Sequence, residues 1–112
     1  MKYQQVQRLL IQLQEELRQL DLWQQQPPPA SALRSSQPFA VDTLDFHQWL
    51  QFIMIPRLQT IVVERGPLPA SMAVSPMAAQ VYKGRLKAYR ELIACLRELD
   101  TLVSGTDPMR AS

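Results

Sequence analysis

Apolar residues recur along the start of the chain at intervals of three and four: Val6, Leu9, Leu10, Leu13, Leu17 and Leu20. An α-helix completes a turn in 3.6 residues, so this spacing lays them along one face. The other positions carry Gln, Glu and Arg, all good helix formers. The stripe ends near Trp23, and QQQPPPASALRSSQP follows. Consecutive prolines lack the N–H donors a helix needs and favour polyproline II. Residues 24–41 are therefore expected as an extended connection of about 18 residues, long for a compact fold. Trp23, Leu33 and Phe39 are the side chains able to pin it to a body.

The helical pattern resumes at VDTLDFHQW. Asp42 or Thr43 can cap it, and Asp45 in the first turn suits the helix dipole. Stepping 100° per residue, Phe46, Trp49, Leu50, Phe52, Ile53 and Met54 cover most of the circumference, while His47, Gln48 and Gln51 share an arc of about 100°. A helix apolar on nearly all sides is the buried central one. Ile55 alone breaks the polar arc, and Pro56 follows it. A mid-helix proline forfeits the bond to the Phe52 carbonyl and clashes there, costing about 3 kcal/mol. It also pushes Ile55 away from α geometry. Two packed pieces are expected, residues 43–55 and 56–64, with Pro56 at the start of the second. A carbonyl freed at that break, with Trp49, Phe52 and Arg57 beside it, is a candidate small-ligand pocket.

Gly66 and Pro67 stop this element, and PLPASMAV reads as a loop. Ser75 followed by Pro76 resembles a cap and a first helical residue, so a short helix should run to about Tyr82 and end at Gly84. The last helix is expected from about Leu86 to Val103, with Leu86, Tyr89, Leu92, Ile93, Leu96, Leu99 and Val103 in its stripe. Residues 105–112 read as a frayed tail. The sum is an all-α, single-domain chain over 1–112: a compact bundle of four main helices with a proline-broken central helix and a long first loop.

Composition narrows the function classes. With 112 residues, 46% hydrophobic and 20% charged, the chain has the balance of a folded domain. Its single cysteine permits no intrachain disulfide, which fits a reducing compartment. MKYQQVQRLL holds no apolar run suited to a signal peptide, and no stretch approaches the ~20 apolar residues of a membrane span. A cytoplasmic protein without a membrane partner is expected. His47 and Cys95 lie in different helices with no HxxxH or CxxC spacing, so neither metal nor cofactor is expected. His47 and Asp45, two apart, do not face each other on a helix, and Cys95 continues an apolar stripe. There is no P-loop, GxGxxG or nucleophile elbow, so no catalytic residue is nominated.

Residues 1–65 hold six basic and six acidic side chains, whereas 66–112 hold six basic and four acidic. Lys83, Lys87 and Arg90 fall on one face of the expected last helix, and Arg97 extends it. Tyr82 and Tyr89 flank the cluster. A basic face with aromatics can hold a phosphate backbone, which makes RNA a candidate partner beside an unknown protein partner.

SQPFAVDTLDFHQWLQFIMIPRLQ, followed by GPLPASMAVSPMAAQVY, resembles the YqcC-like family of small bacterial proteins. The resemblance runs from the first helix to about Leu102, and its most distinctive block is Pro38 to Arg57. It implies an all-α bundle without an established activity, often carrying the label of tRNA pseudouridine synthase C. Synthases of that class use an aspartate in an Arg-Leu-Asp context. Here Arg85-Leu86 is followed by Lys87, which cannot supply that carboxylate.

Overall fold

The first stripe forms where the spacing puts it. In the computed structural model, which describes residues 2–109, helix α1 (Lys2–Gln19) buries Val6, Leu10, Leu13 and Leu17. Leu9 and Leu20 lie half-buried at its margins. It stops in a Schellman turn. Asp21 takes a left-handed φ of 62°, the Leu22 N–H reaches the Leu17 carbonyl at 2.8 Å, and the Asp21 N–H reaches that of Arg18 at 3.0 Å. Aspartate is one of the few residues besides glycine that tolerates this conformation.

The connection wraps the body. Short 3₁₀ turns form at Ala32–Arg34 and Pro38–Ala40. Phe39 brings its ring to 4.8 Å from Trp49, and Trp23 packs against the core beneath the Arg18 guanidinium. A polar tie does as much. The buried Gln51 side chain accepts from the Gln24 N–H at 2.9 Å and donates to the Gln24 carbonyl at 2.8 Å. Thr43 donates to the Ala32 carbonyl at 2.7 Å, and the Ser35 hydroxyl donates to Asp42. Those two residues fasten the strap instead of capping the helix. Asp45 is the N-cap, in a capping box with Gln48, whose side chain accepts from the Asp45 N–H at 2.8 Å.

The central helix does fall into two pieces with Pro56 at the start of the second, but they are joined by a π turn and not by a gap in the helix. Helix α2 (Phe46–Trp49) passes through a π-helical segment, Leu50–Met54, into α3 (Ile55–Glu64) with right-handed backbone at each junction. Ile55 has φ −60° and ψ −50° and donates to the Leu50 carbonyl five residues back. The wider turn is the chain's answer to the proline. It spreads the carbonyls so that the pyrrolidine ring clears the one it would otherwise strike. It also shifts the phase of the helix, which is why Ile55 is buried beside Leu50 and Met54. In the polar arc, Gln48 and Gln51 bond to Gln24 of the strap, with Gln51 buried and His47 and Gln48 half-buried. At the far end the left-handed residue is Arg65 (φ 54°), one place before Gly66.

Helix α4 (Ser75–Val81) falls where the sequence places it, but α5 (Arg90–Ser104) starts four residues late. Residues 82–89 form turns through Gly84, whose φ is 88°. Tyr82 and Tyr89 stack across them with centroids 3.9 Å apart and planes 6° from parallel. Seven residues apart on one helix they would stand about 10 Å apart, so the stack requires the turn. Leu86, expected in the stripe, is 48% exposed.

Helix α1 packs on α5 and α3, and α4 packs on α5. Leu10, Leu13, Leu17, Leu50, Leu92, Leu96 and Leu99 fill the centre. Among the described residues there is no strand, so the fold is all-α. No described helix is long and apolar enough to cross a membrane. After α5, Gly105 turns left-handed and Asp107 folds back onto Arg97. Residues 110–112 lie outside the described residues.

Candidate functional site

The four basic residues singled out in the sequence do not share one helix face. Lys83 and Lys87 stand exposed in the turns before α5. Between them Arg85 lies over the Tyr89 ring at 5.2 Å. Arg90 and Arg97 are on α5 and turn toward α1. Arg90 Nε lies 3.7 Å from Glu91, and Arg97 grips Asp107 through Nε at 2.8 Å and Nη2 at 2.6 Å. The hydrogen bond Arg97 donates to Asp107 raises the Arg97 pKa further above its ordinary value. The basic set is thus divided between a turn with aromatics and a groove between helices.

Trp49, Phe52 and Arg57 do come together. They line a cleft of about 500 Å³ under the strap, with Phe39, Ser35 and Gln37 opposite. Its wall is the π-helical segment. Its roof holds Phe39 and Ala40, both left-handed at φ 57° and 50°. Pro56 is not in it. The proline borders a separate hollow with Gln59, Thr60, Val63 and Glu64, so no carbonyl freed by a break opens this cleft.

A groove of about 780 Å³ lies between α1 and α5. Leu9 from α1 and Ile93, Ala94 and Leu102 from α5 form its floor. Arg8, Arg90 and Arg97 stand on its rim, with Glu98 and Asp107. Leu9, Ile93 and Leu102 are edge members of two apolar stripes, each wider than the facing helix can cover. That excess width is the signal in the sequence that marks the groove.

Asp100 and Cys95 spend their polar atoms on the fold, whereas the buried Tyr82 hydroxyl has no hydrogen-bond partner among the described residues. Asp100 on α5 is wholly inaccessible. It accepts the Val74 N–H at 2.9 Å, the Ser75 N–H at 2.8 Å and the Ser75 hydroxyl at 2.7 Å. The cap of α4 therefore comes from the neighbouring helix, not from Ser75 itself. Burial raises the Asp100 pKa, and the bonds from Val74 and Ser75 pull it back in part. Burial likewise pushes the Cys95 thiol and the Tyr82 hydroxyl up to about 12. His47 Nε2 lies 3.7 Å from Asp45. The two approach because Asp45 is the cap, outside the helical ladder. Among the described residues no group of three His, Cys, Asp or Glu could hold a metal ion.

Comparison with known proteins gives one consistent picture. The profile of the DUF446 family, described as tRNA pseudouridine synthase C, matches residues 5–102. A protein of Haemophilus influenzae described as uncharacterised is 36% identical over 98 residues, covering 88% of this chain and 92% of that one. The Escherichia coli protein YqcC is 31% identical over 86 residues, covering 77% of this chain and 79% of that one. The solution NMR structure of E. coli YqcC superposes with a TM-score of 0.82 at 28% identity, covering 99% of this chain and 94% of that one. A tRNA pseudouridine synthase C of Pectobacterium carotovorum is 33% identical over 86 residues. That match spans 77% of this chain but 23% of the synthase.

Proposed function

The chain belongs to the DUF446 family, and on that premise we propose that it is a non-catalytic cytoplasmic binding module, an accessory to a tRNA-modifying enzyme. The observation that carries this reading is the uneven coverage of the Pectobacterium relative. A module of this kind makes up 23% of a chain named for the synthase. On this reading the name belongs to the remainder, with the two parts neighbours within one molecule. The chemistry of this chain agrees. A group that moves protons in catalysis works best with a pKa near the operating pH. Cys95 and Tyr82 are held near 12 by burial, and Asp100 is occupied as a helix cap. Lys87 stands in an exposed turn where the synthase motif would need a carboxylate.

A second reading, contact with RNA, is favoured by Lys83, Arg85 and Lys87 around Tyr89. It predicts a tRNA affinity that falls with salt, with a double-logarithmic slope of roughly −2 to −3 for about three phosphate contacts.

The test is calorimetric titration of the purified chain into the pseudouridine synthase of its own organism, with turnover of tRNA uridine measured in parallel. Binding to the synthase, with no turnover by the chain alone, is the expected result. Turnover by the chain freed of synthase, or no binding, overturns the proposal.

A further inference from the structure

We propose that the α1–α5 groove is a site for an acidic, apolar peptide segment of a partner protein, and that residues 107–109 of this chain occupy one end of it as a built-in competitor. This rests on the binding-module reading and names its surface and the chemistry of its partner.

The floor argues for protein. Leu9, Ile93 and Leu102 leave apolar surface half open between two helices, and such surface gains by being covered. The rim argues for acidic character. Arg8, Arg90 and Arg97 outnumber Glu98 and Asp107 around that floor. Arg90 and Arg97 are seven residues apart on one helix, about 10.5 Å along its axis. A helical segment with carboxylates seven residues apart meets both, and its apolar face meets the floor.

The chain itself shows how such a segment sits. Asp107 places one carboxylate oxygen within 2.6 Å and 2.8 Å of two nitrogens of Arg97, while Met109 lines the groove. The tail thus offers an acid to an arginine and an apolar side chain to the floor. The Arg97 side chain is 48% exposed and that of Asp107 20%, so water screens the arginine side of the pair, and a competing carboxylate can approach it there.

The experiment uses the full chain and fluorescence anisotropy with a labelled synthetic amphipathic peptide of about 18 residues, five helical turns. The peptide carries Leu along one face and Glu pairs seven residues apart. A second peptide has Lys in place of Glu. The Glu peptide should bind at least about tenfold more tightly, because like charges across an interface repel. Arg90→Glu with Arg97→Glu should reverse that preference, and Asp107→Asn should strengthen Glu-peptide binding by loosening the competitor. Equal binding of the two peptides, or a preference unchanged by the double charge reversal, overturns the groove assignment. So does an Asp107→Asn chain with unaltered affinity, as far as the competitor is concerned. If the synthase binds the doubly reversed chain as tightly as the parent, the groove assignment fails while the accessory reading stands. If the synthase binds neither chain, the accessory reading fails whatever the peptides do.

Discussion

Removing the Asp100 carboxylate should cost more stability than any other single polar change in the described residues. Asp100→Ala would leave the Val74 N–H, the Ser75 N–H and the Ser75 hydroxyl without their acceptor, at a site with no solvent access. Each orphaned buried donor costs about 1–3 kcal/mol. Water entering the truncated space recovers part of this, so the net loss should be about 3–5 kcal/mol. Against a total stability of about 5–15 kcal/mol that is a large share. At about 4 °C per kcal/mol it lowers the melting temperature by roughly 12–20 °C. Urea denaturation followed by far-UV circular dichroism measures it, with an unchanged slope showing that the unfolding reaction is the same. A loss below about 1 kcal/mol would refute the reasoning. The pH dependence tests the electrostatics separately. Burial raises the Asp100 pKa in the folded chain, so the folded state binds this proton more readily than the unfolded one. The stabilisation from that proton is fully present below the unfolded value, about 3.9, and is lost as pH rises through the folded value. The stability difference between the parent and Asp100→Asn should therefore widen in the parent's favour on acidification. If it narrows, the three donors hold the carboxylate ionised and burial is the weaker effect.

Leu86→Gln should change stability by less than about 0.5 kcal/mol, because Leu86 lies outside the core. Leu92→Ala should cost about 2–5 kcal/mol in the same denaturation assay. Pro56→Ala should fall well short of the ~3 kcal/mol gain expected from removing a clashing mid-helix proline, since the π turn already relieves the clash. Gln51→Ala should cost about 1–3 kcal/mol by stranding the Gln24 backbone groups. Hydrogen exchange at Gln24 should then accelerate, and an unchanged rate there would show that the strap is held by Phe39 and Trp49 alone.

The helices were legible because apolar periodicity is a local signal. Val6 through Leu17 and Leu92 through Val103 state their buried faces outright. What escaped depends on partners distant in the chain. Gln51 reads as a solvated residue until Gln24 is seen folded against it. Asp100 reads as surface, although its place four after Leu96 and three before Val103 puts it on the buried face. The π turn escaped because a fixed step of 100° assigns Ile55 to the wrong side. Lys83 and Lys87 were placed on a helix because Gly84 can end one helix without showing where the next begins. Trp49, Phe52 and Arg57 were legible as neighbours, being three and five residues apart on one rod. The groove showed itself only as the extra width of two stripes.

On the proposed reading, this chain binds a partner through the α1–α5 face. Amide hydrogen exchange of the full chain, alone and with the pseudouridine synthase of its own organism, decides whether this face binds. Exchange should slow only in α1 around Arg8 and Leu9 and in α5 from Arg90 to Leu102. Slowing centred instead on the strap and the cleft of Trp49, Phe52 and Arg57, or no slowing at a saturating synthase concentration, would contradict it.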